Sequence, residues 1–313
     1  MTSRLRFVIL CQCILAFLIA SSACAQPKDK APTGPRILIV DAHPDDETAY
    51  AATVYKLTHD FDGMVDLVVI TNGEAGYKYS TLAEPVYHLK LTDEAVGRKY
   101  LPGIRHNELE AAGKIIGLHK IFFLDQRDNR YTLDPHEVLD SNWDIPKVNA
   151  KLQDILKEGK YDFVFTLLPT DSTHGHHKAA TILALDAVEH LPANAPHPII
   201  LAGTNRKKDA KPVPFHGLAG FPITQMADSL PLCEFDRNQS FGFRHSLNYK
   251  VIVNWEIAEH KSQGTMQLGM NQGDIEEYYY YAINPPSGRD KAVQLFDKLG
   301  TKTYPELTYP GIK

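Results

Sequence analysis

Two short segments of the sequence gather side chains that could bind a metal ion or carry protons. In the first, residues 43–47, an imidazole and three carboxylates stand within five positions around a proline: His43, Asp45, Asp46 and Glu47. Carboxylates this close together repel one another unless a cation or a proton neutralises them. A helix N-terminus would favour Asp46 and Glu47 through the helix dipole, but it gives no reason for His43. The segment is therefore a candidate for metal-assisted chemistry.

The second segment supplies further imidazoles. Residues 174–177 are His-Gly-His-His and follow a loop rich in residues that cap helices. Residues three apart lie on one face of a helix, so His174 and His177 are expected to point together toward the first segment. His176 is expected to point elsewhere, onto the surface. Such a pair is more often structural than metal-binding, but an acidic segment with its own histidine opposite reverses that preference in favour of a metal.

Alternating strands and helices can bring the two segments together. Continuous apolar runs predict buried strands at 36–40, 65–71, 120–124, 161–167 and 198–201. Helical patterns lie between them, at 47–59, 106–118, 145–158 and 174–191. The alternation predicts an α/β fold, Rossmann-like, with a mostly parallel sheet and helices on both faces. The two segments follow the first and fourth strands, at the carboxyl edge where reactive groups gather in open α/β sheets.

The strand and helix pattern weakens beyond residue 203. A strand is predicted at 248–255, a helix at 256–263 and a terminal helix at 290–299. We expect one domain over 36–313 that ends in a C-terminal elaboration at 266–313. No glycine-rich turn follows the first strand, so the sequence does not favour a nucleotide-binding site there.

The composition of the 313-residue chain is that of a globular protein. Hydrophobic residues make up 43% and charged residues 23%, which excludes a disordered, collagenous or coiled-coil chain. Lys and Arg number 33 against 38 Asp and Glu, for a net charge of −5. Without a basic excess, neither nucleic acid nor an anionic membrane is favoured as a partner.

The amino-terminal residues are typical of an export signal. Two arginines precede an apolar run at 7–20, which has the length of a signal-peptide core and is too short to span a bilayer. Small residues flank Cys24, so we expect a signal peptide at 1–25, a mature chain that begins at Gln26 and a flexible tether at 26–35. The protein would then be exported, to the periplasm or outside the cell, with no transmembrane segment. The alternative is a lipid anchor on Cys24, although that signal normally has a large aliphatic residue where this chain has serine.

The two segments together resemble the paired motifs of a known family. His-Pro-Asp-Asp-Glu at 43–47 and His-x-x-His at 174–177 look like those of the LmbE-like (PIG-L) zinc-dependent de-N-acetylase superfamily. The glycine-containing loop at 71–76, the Arg-x-x-Glu pattern that starts at Arg105 and the His-x-Ser-Gln pattern that starts at His260 are similar to further family motifs. The resemblance therefore implies a zinc hydrolase of the same α/β architecture.

The sequence departs from the family pattern in two places. Gly175 and His176 stand where the family usually has Pro-Asp between its paired histidines. Residues 77–103 look like a longer loop than compact members carry, which bears on the size of the substrate. The resemblance spans about 36–265, which we take as the core of the domain.

The resemblance implies a role for each motif residue. His43, Asp46 and His177 would be the zinc ligands, Asp45 the general base, and His174 the group that steadies the oxyanion or protonates the leaving amine. Two nitrogens and one carboxylate oxygen leave the fourth zinc position open for water, as in catalytic zinc sites. Zinc lowers the pKa of such a water from about 15.7 to about 7 and polarises an amide carbonyl.

Sugar recognition is assigned to two further residues by the same resemblance. Arg105 and Asp128 stand where the family holds the sugar with an arginine and an aspartate. The alternative for Arg105 is an ion pair with Glu108 on its own helix. The tyrosine run at 278–281 could stack on a sugar ring, but a packing role is favoured because nothing directs it toward the site.

Two other residues are expected to be structural. His260 is not needed as a ligand, because three protein ligands already complete a hydrolytic zinc site. Cys233 is the only cysteine of the expected mature chain, so it has no disulfide partner there, and its neighbours carry no nucleophile signature.

The sequence therefore predicts an exported zinc amidohydrolase that removes an acetyl or other acyl group from an N-acylated amino sugar or a glycoconjugate. Two alternatives stay open: hydrolysis of a non-sugar amide, and a metal-containing carbohydrate-binding protein without turnover. Asp45 argues against the binding protein, because binding needs no general base.

Overall fold

A seven-stranded central sheet organises the protein, whose computed structural model describes residues 32–301. Nine strands form in this range, and two of them make a separate small hairpin. The strands are β1 Arg36–Asp41, β2 Met64–Thr71, β3 Lys120–Gln126, β4 Phe163–Leu167, β5 Ile199–Arg206, β6 Cys233–Asp236, β7 Ser240–Phe241, β8 Leu247–Asn248 and β9 Ile275–Tyr280.

Helices fill most of the connections between these strands. The α-helices are α1 Ala51–Asp60, α2 Glu84–Tyr87, α3 Glu94–Ile116, α4 Pro135–Ser141, α5 Ile145–Gly159, α6 Gly175–Glu189, α7 Lys250–Glu259, α8 Gly264–Gln267 and α9 Gly288–Gly300. Short 3₁₀ helices lie at Asp46–Tyr50, Glu74–Tyr79, Thr81–Ala83, Pro222–Thr224 and Phe243–His245.

The sheet has the order β3-β2-β1-β4-β5-β9-β6. The first five strands in this order are parallel, and β9 runs antiparallel to both of its neighbours. The predicted α/β, Rossmann-like fold with a mostly parallel sheet is therefore confirmed. The strand β9 belongs to the segment expected as a C-terminal elaboration, yet it lies within the same sheet.

Both faces of the sheet are covered, and β1 shows why its sequence is a continuous aliphatic run. Leu38 and Val40 pack into the core on the face of α5 and α6. Ile37 and Ile39 pack into the core on the opposite face, with α1, α3, α7 and α9. Because successive side chains of a strand point to opposite faces, a strand buried on both sides needs apolar residues at every position.

The expected strand at 248–255 is wrong, because all of it beyond residue 249 lies in α7. A short apolar run does not distinguish a buried strand from a buried helix. In α7 the side chains of Ile252, Val253 and Ile257 all face the same core region, an arrangement that only helical periodicity allows. The helix expected at 256–263 is also wrong beyond Glu259, where α7 ends.

Residues 77–103 are not the long loop that the sequence indicates. They contain α2 and the first turns of α3, which begins at Glu94 rather than at residue 106. Asp93 caps α3 by accepting a hydrogen bond from the backbone N–H of Val96, and the helix continues through Pro102. Pro102 destabilises α3 because it removes a backbone hydrogen-bond donor inside the helix. The N-cap and the packing of the helix together outweigh this loss of stability.

Several other expectations concern the chain ends and the residues held to be structural. The leader at 1–25, residues 26–31 of the tether and residues 302–313 lie outside the described part of the chain. No helix within 32–301 combines the length and apolarity needed to cross a membrane.

The tyrosines at 278–281 are buried in the sheet core, which confirms a packing role. Cys233 is buried on β6, and burial raises the pKa of its thiol to about 12, so it stays protonated.

Gly203 on β5 leads to a stability prediction. A Cβ atom added there would overlap the buried ring of Tyr50, so Gly203→Ala should lower the free energy of unfolding by about 1–3 kcal/mol through overpacking. Gly103 in α3 is the matched control, because an added Cβ meets nothing within 4 Å. Gly103→Ala should raise the free energy of unfolding by about 0.5–1 kcal/mol, since alanine favours the helix. Urea unfolding measures both values, and equal effects would contradict the close packing at Gly203.

Candidate metal and catalytic site

The side chains of both motif segments meet at the carboxyl ends of β1 and β4. The strands β2 and β3 lie on one side of β1, and β4 and β5 lie on the other. The strand order thus reverses between β1 and β4, which is where open α/β sheets bind their ligands. The loop at 43–47 leaves β1 there, and the N-terminus of α6 faces it across the gap.

Three side chains converge on one point in this crevice. Nδ1 of His43 lies 3.0 Å from Nε2 of His177 and 3.6 Å from Oδ2 of Asp46. Nε2 of His177 lies 3.1 Å from Oδ1 of Asp46. A tetrahedral zinc ion with bonds of about 2.1 Å separates its ligand atoms by roughly 3.4 Å. The spacing of two nitrogens and one carboxylate therefore fits a single metal ion with one further position for water.

Asp46 is oriented for this role by the backbone of its own loop. Its Oδ2 accepts hydrogen bonds from the backbone N–H groups of Ala42 at 3.1 Å and His43 at 2.8 Å. Burial alone would raise the pKa of Asp46, but attraction to His177 and hydrogen bonds from His177 and His43 hold that pKa well below its ordinary value. The carboxylate is therefore ionised, as a metal ligand must be.

Asp45 has a backbone conformation that L-amino acids rarely adopt, with φ at 126°. Its backbone N–H donates to Oε2 of Glu47 at 2.9 Å, and its Oδ2 pairs with Nη2 of Arg105 at 3.0 Å. Burial raises the pKa of Asp45, and the Arg105 guanidinium opposes that shift. Strain of this kind costs about 1–3 kcal/mol and concentrates at functional sites. The contacts of Asp45 hold its carboxylate at the same cavity as Asp46.

Arg105 is buried in α3, and the backbone determines its direction. Its Nη1 donates to the carbonyl oxygen of Gly73 at 2.7 Å, and its Nη2 also donates to that of Pro44. Gly73 has φ at 67°, and a Cβ atom there would overlap the guanidinium, so this position requires glycine on both grounds. The guanidinium thus ties the loops after β1 and β2 together and fixes Asp45 between them.

The expected alternative for Arg105, an ion pair with Glu108, is wrong. Glu108 instead accepts hydrogen bonds from the backbone N–H of Ser262 at 2.8 Å and from its hydroxyl at 2.6 Å. It also accepts one from the hydroxyl of Tyr87 at 2.7 Å. Glu108 therefore holds the segment beside Gln263, which lines the cavity.

His174 is the N-cap of α6 rather than a residue of its first turn, and its ring still lies at the site. The ring centroid is 5.3 Å from that of His43 and 5.4 Å from that of His177. Its Nδ1 accepts a hydrogen bond from the backbone N–H of His176 at 3.0 Å. Burial, followed by repulsion from His43 and His177, lowers the pKa of His174 to about 3. The neutral ring therefore carries its proton on Nε2 and is a hydrogen-bond donor there.

A cavity of about 250 Å³ lies above these residues. Its walls come from the 3₁₀ helix Glu74–Tyr79, the loop at 128–131 and the segment at 263–266. Tyr79 and Tyr131 line the same cavity and are 48% and 66% exposed. The site is thus a small cavity with titratable side chains at its base and aromatic side chains at its mouth.

Residues 38–188 match the sequence model of a family described as PIG-L, GlcNAc-PI de-N-acetylase. The matched segment contains the three converging donors as well as Asp45, Arg105 and His174. Residues 38–188 therefore carry the sequence pattern of the PIG-L (LmbE-like) superfamily. Deacetylases of this family are metal-dependent, which agrees with the spacing of the three donors.

Three solved structures are similar to this chain at low sequence identity, and the first of them shows the same fold. The conserved protein TT1542 of Thermus thermophilus has a TM-score of 0.50 and 17% identity, over 80% of this chain and 95% of that chain. An N,N'-diacetylchitobiose deacetylase of Pyrococcus horikoshii has a TM-score of 0.41 and 23% identity, over 64% and 69%. A 4-carboxy-2-hydroxymuconate hydratase of Pseudomonas putida has a TM-score of 0.49 and 15% identity, over 80% and 97%. No curated protein sequence matches the chain.

The expected surface position of His176 is wrong. This residue, which replaces the usual PIG-L aspartate, is fully buried, and its Nδ1 lies 3.0 Å from Nε2 of His43. Because α6 begins at Gly175, both His176 and His177 lie in its first turn and contact the His43 ring through its two different nitrogens. A histidine at a position where the family has an acid was the signal for this contact.

Asp128 faces the imidazoles from the loop after β3. Its Oδ2 accepts a hydrogen bond from the backbone N–H of Ala75 at 3.1 Å. Its Oδ1 lies 3.4 Å from Nδ1 of His176 and 4.0 Å from Nε2 of His43. The side chain lines the cavity and is nearly buried, and its assignment to sugar binding stays a prediction.

His260 lies behind the 43–47 loop, apart from the three converging donors. Its Nε2 lies 2.6 Å from Oε1 of Glu47 and 3.4 Å from Oε1 of Glu256, and all three side chains are fully buried. Burial would lower the pKa of His260, but attraction to Glu47 and hydrogen bonds with Glu256 and Glu47 raise it well above its ordinary value. Burial raises the pKa of Glu256 to about 8. The charged pair of His260 and Glu47 therefore supports the loop from beneath, a contribution that the sequence analysis missed for Glu47 and Glu256.

The donor cluster leads to a prediction about metal content. Purified protein should bind about one zinc ion per chain, because three suitably spaced ligands bind divalent metals tightly. His177→Ala should lower that content sharply. The same change at His190, an exposed histidine that follows the last residue of the same helix, should leave it unchanged. Elemental analysis after dialysis measures both values. Equal metal content in the two variants would show that His177 is not a ligand.

Proposed function

We propose that this protein is a zinc-dependent de-N-acetylase that removes an acetyl or related acyl group from an N-acylated amino sugar or a glycoconjugate. The observation that carries the proposal is the position of Asp45 beside the three-donor cluster. A carboxylate held in a strained conformation, next to ligands that leave a position for water, is the arrangement that hydrolysis requires. The family description, a de-N-acetylase that acts on an N-acetylglucosamine conjugate, supports the same class of reaction.

His43, Asp46 and His177 would hold the metal, which when bound polarises an amide carbonyl and activates water. Asp45 would accept the proton of the attacking water, because its carboxylate reaches the same cavity and is not one of the three converging donors. A positioned general base contributes roughly 10²–10⁴ in rate. Arg105 would keep this carboxylate aimed at the cavity through its 3.0 Å ion pair.

His174 would donate a hydrogen bond to the carbonyl oxygen of the substrate rather than take a proton from the water. Its neutral ring has the proton on Nε2, because Nδ1 already accepts a backbone hydrogen bond. A donor that is fixed before the reaction begins stabilises negative charge on the carbonyl oxygen in the transition state. The proton that the departing amine needs would then come from Asp45, which has received one from water.

The volume of the cavity favours a substrate of which a single sugar ring lies inside. At about 250 Å³ it is smaller than the range of about 300–1,000 Å³ that encloses drug-sized ligands. The remainder of a glycoconjugate would lie outside, beside the exposed rings of Tyr79 and Tyr131, where tyrosine offers apolar contact together with a hydroxyl. A binding protein without turnover is disfavoured, because it has no use for the strained backbone of Asp45.

The test is a screen of N-acetylated saccharides for release of acetate. Zinc-loaded protein should release acetate, and protein treated with a chelator should not. Asp45→Asn is nearly isosteric but cannot accept a proton, so it should keep its zinc and its fold and lose roughly 10²–10⁴ in kcat per bound zinc.

The pattern of results separates the proposal from its alternatives. Binding of saccharides without release of acetate would indicate the carbohydrate-binding protein. Release from simple N-acyl amides but from no saccharide would indicate the non-sugar hydrolase. A wild-type rate per zinc in Asp45→Asn would show that another group takes the proton.

We further propose that the protein acts outside the cytoplasm. The basic start, the apolar run at 7–20 and the small residues around Cys24 support removal of residues 1–25. Protein expressed from the full sequence should be recovered from the extracytoplasmic fraction with Gln26 as its first residue, as measured by mass spectrometry. An acylated Cys24 in the detergent phase would establish the lipid-anchored alternative.

A further inference from the structure

The His43 ring contacts different groups through its two nitrogens. Its Nδ1 faces the other two donors, at 3.0 Å from His177 and 3.6 Å from Asp46. Its Nε2 faces away from them, at 3.0 Å from Nδ1 of His176 and 4.0 Å from Oδ1 of Asp128. Of these two neighbours, only His176 is within hydrogen-bond distance.

This geometry fixes where the protons must be when the site holds a metal. A metal on Nδ1 of His43 uses the lone pair of that nitrogen, so the ring proton must be on Nε2. Nε2 is then a donor, and Nδ1 of His176 must present a lone pair to it. His176 therefore carries its own proton on Nε2.

We infer that His176 is a positioning residue that holds His43 in its metal-binding orientation by accepting the hydrogen bond of His43 Nε2–H on its own Nδ1. The inference rests on the proposed metal site, and it assigns His176 no contact with the substrate. Metal-binding histidines commonly donate their second ring proton to a neighbouring group, and loss of that partner costs about 10–100-fold in metal affinity. In this chain the acceptor is a neutral imidazole.

His176 can act as a fixed acceptor because it is itself held rigidly. It is fully buried in the first turn of α6, and its backbone N–H donates to Nδ1 of His174 at 3.0 Å. Its ring packs against the indole of Trp143, with centroids 5.3 Å apart and planes at 47°. Trp143 is anchored in turn, because its Nε1–H donates to the carbonyl oxygen of Arg127 at 3.2 Å.

Two substitutions of equal shape test this role. His176→Asn places an amide oxygen close to the position of Nδ1, whereas His176→Leu has the same branched outline without an acceptor. The dissociation constant for zinc, measured by competition with a chromogenic chelator, should stay close to the wild-type value in the Asn variant. In the Leu variant it should rise about 10–100-fold. His176→Gln places its amide farther along the side chain, so it should behave like Leu and replaces that variant if the Leu protein does not fold.

A spectroscopic measurement tests the proton positions directly. In zinc-loaded protein labelled with ¹⁵N, both His43 and His176 should be protonated on Nε2. His190→Leu, at an exposed histidine that follows the last residue of the same helix, is the control and should retain wild-type zinc affinity.

Three results would overturn the inference. These are equal zinc affinity of the Asn and Leu variants, a proton on Nδ1 of His176 in the zinc-loaded protein, and two zinc ions per chain with Nε2 of His43 as a ligand. None of them depends on deacetylation, so failure of the saccharide screen leaves the inference standing. Wild-type zinc affinity in His43→Ala would instead remove the proposed metal site itself.

Discussion

The concentration of buried acid at the end of β1 is the constraint on which the rest of the structure depends. Four carboxyl groups occur within seven residues, and each must be neutralised in a region that excludes most water. Each is neutralised differently: Asp41 by a proton that burial favours, Asp45 by Arg105, Asp46 by His177 and His43, and Glu47 by His260. The four carboxyl groups of this short segment therefore differ in protonation state and in their role in the protein.

The partners of these acids come from three separate helices, which couples the site to the fold. Arg105 lies in α3, His177 in α6, and His260 directly after α7. Removing a single partner would leave a buried charge without compensation, which is among the larger penalties that a substitution can cause. The helices therefore cannot shift relative to β1 without breaking the site, and the site in turn holds the helices on the sheet.

The different roles of the three histidines at 174–177 follow from the same geometry. His177 directs a nitrogen at Asp46, His174 caps α6 and offers a proton to the cavity, and His176 lies behind His43. Three histidines within four residues take three roles because the helix start rotates each to a different direction. Catalytic sites in general need groups whose protonation states differ although they are close together.

The sequence by itself determined the parallel strands and the motif residues at their ends. Strands such as β1 are buried on both faces, so a continuous apolar run in the local sequence is enough to predict them. It determined equally that the segments 43–47 and 174–177 lie together, because strand ends of a parallel sheet meet at one edge. The choice of His43, Asp46 and His177 among their residues came from the family resemblance. Only the tertiary structure decided the direction of His176, the partner of Arg105 and the helical state of α7. Each of these depends on which element packs against the residue, and those packing partners lie tens to hundreds of positions away in the chain. Local propensity cannot encode such contacts, since a β-branched run fits a strand or a buried helix until its neighbours select one.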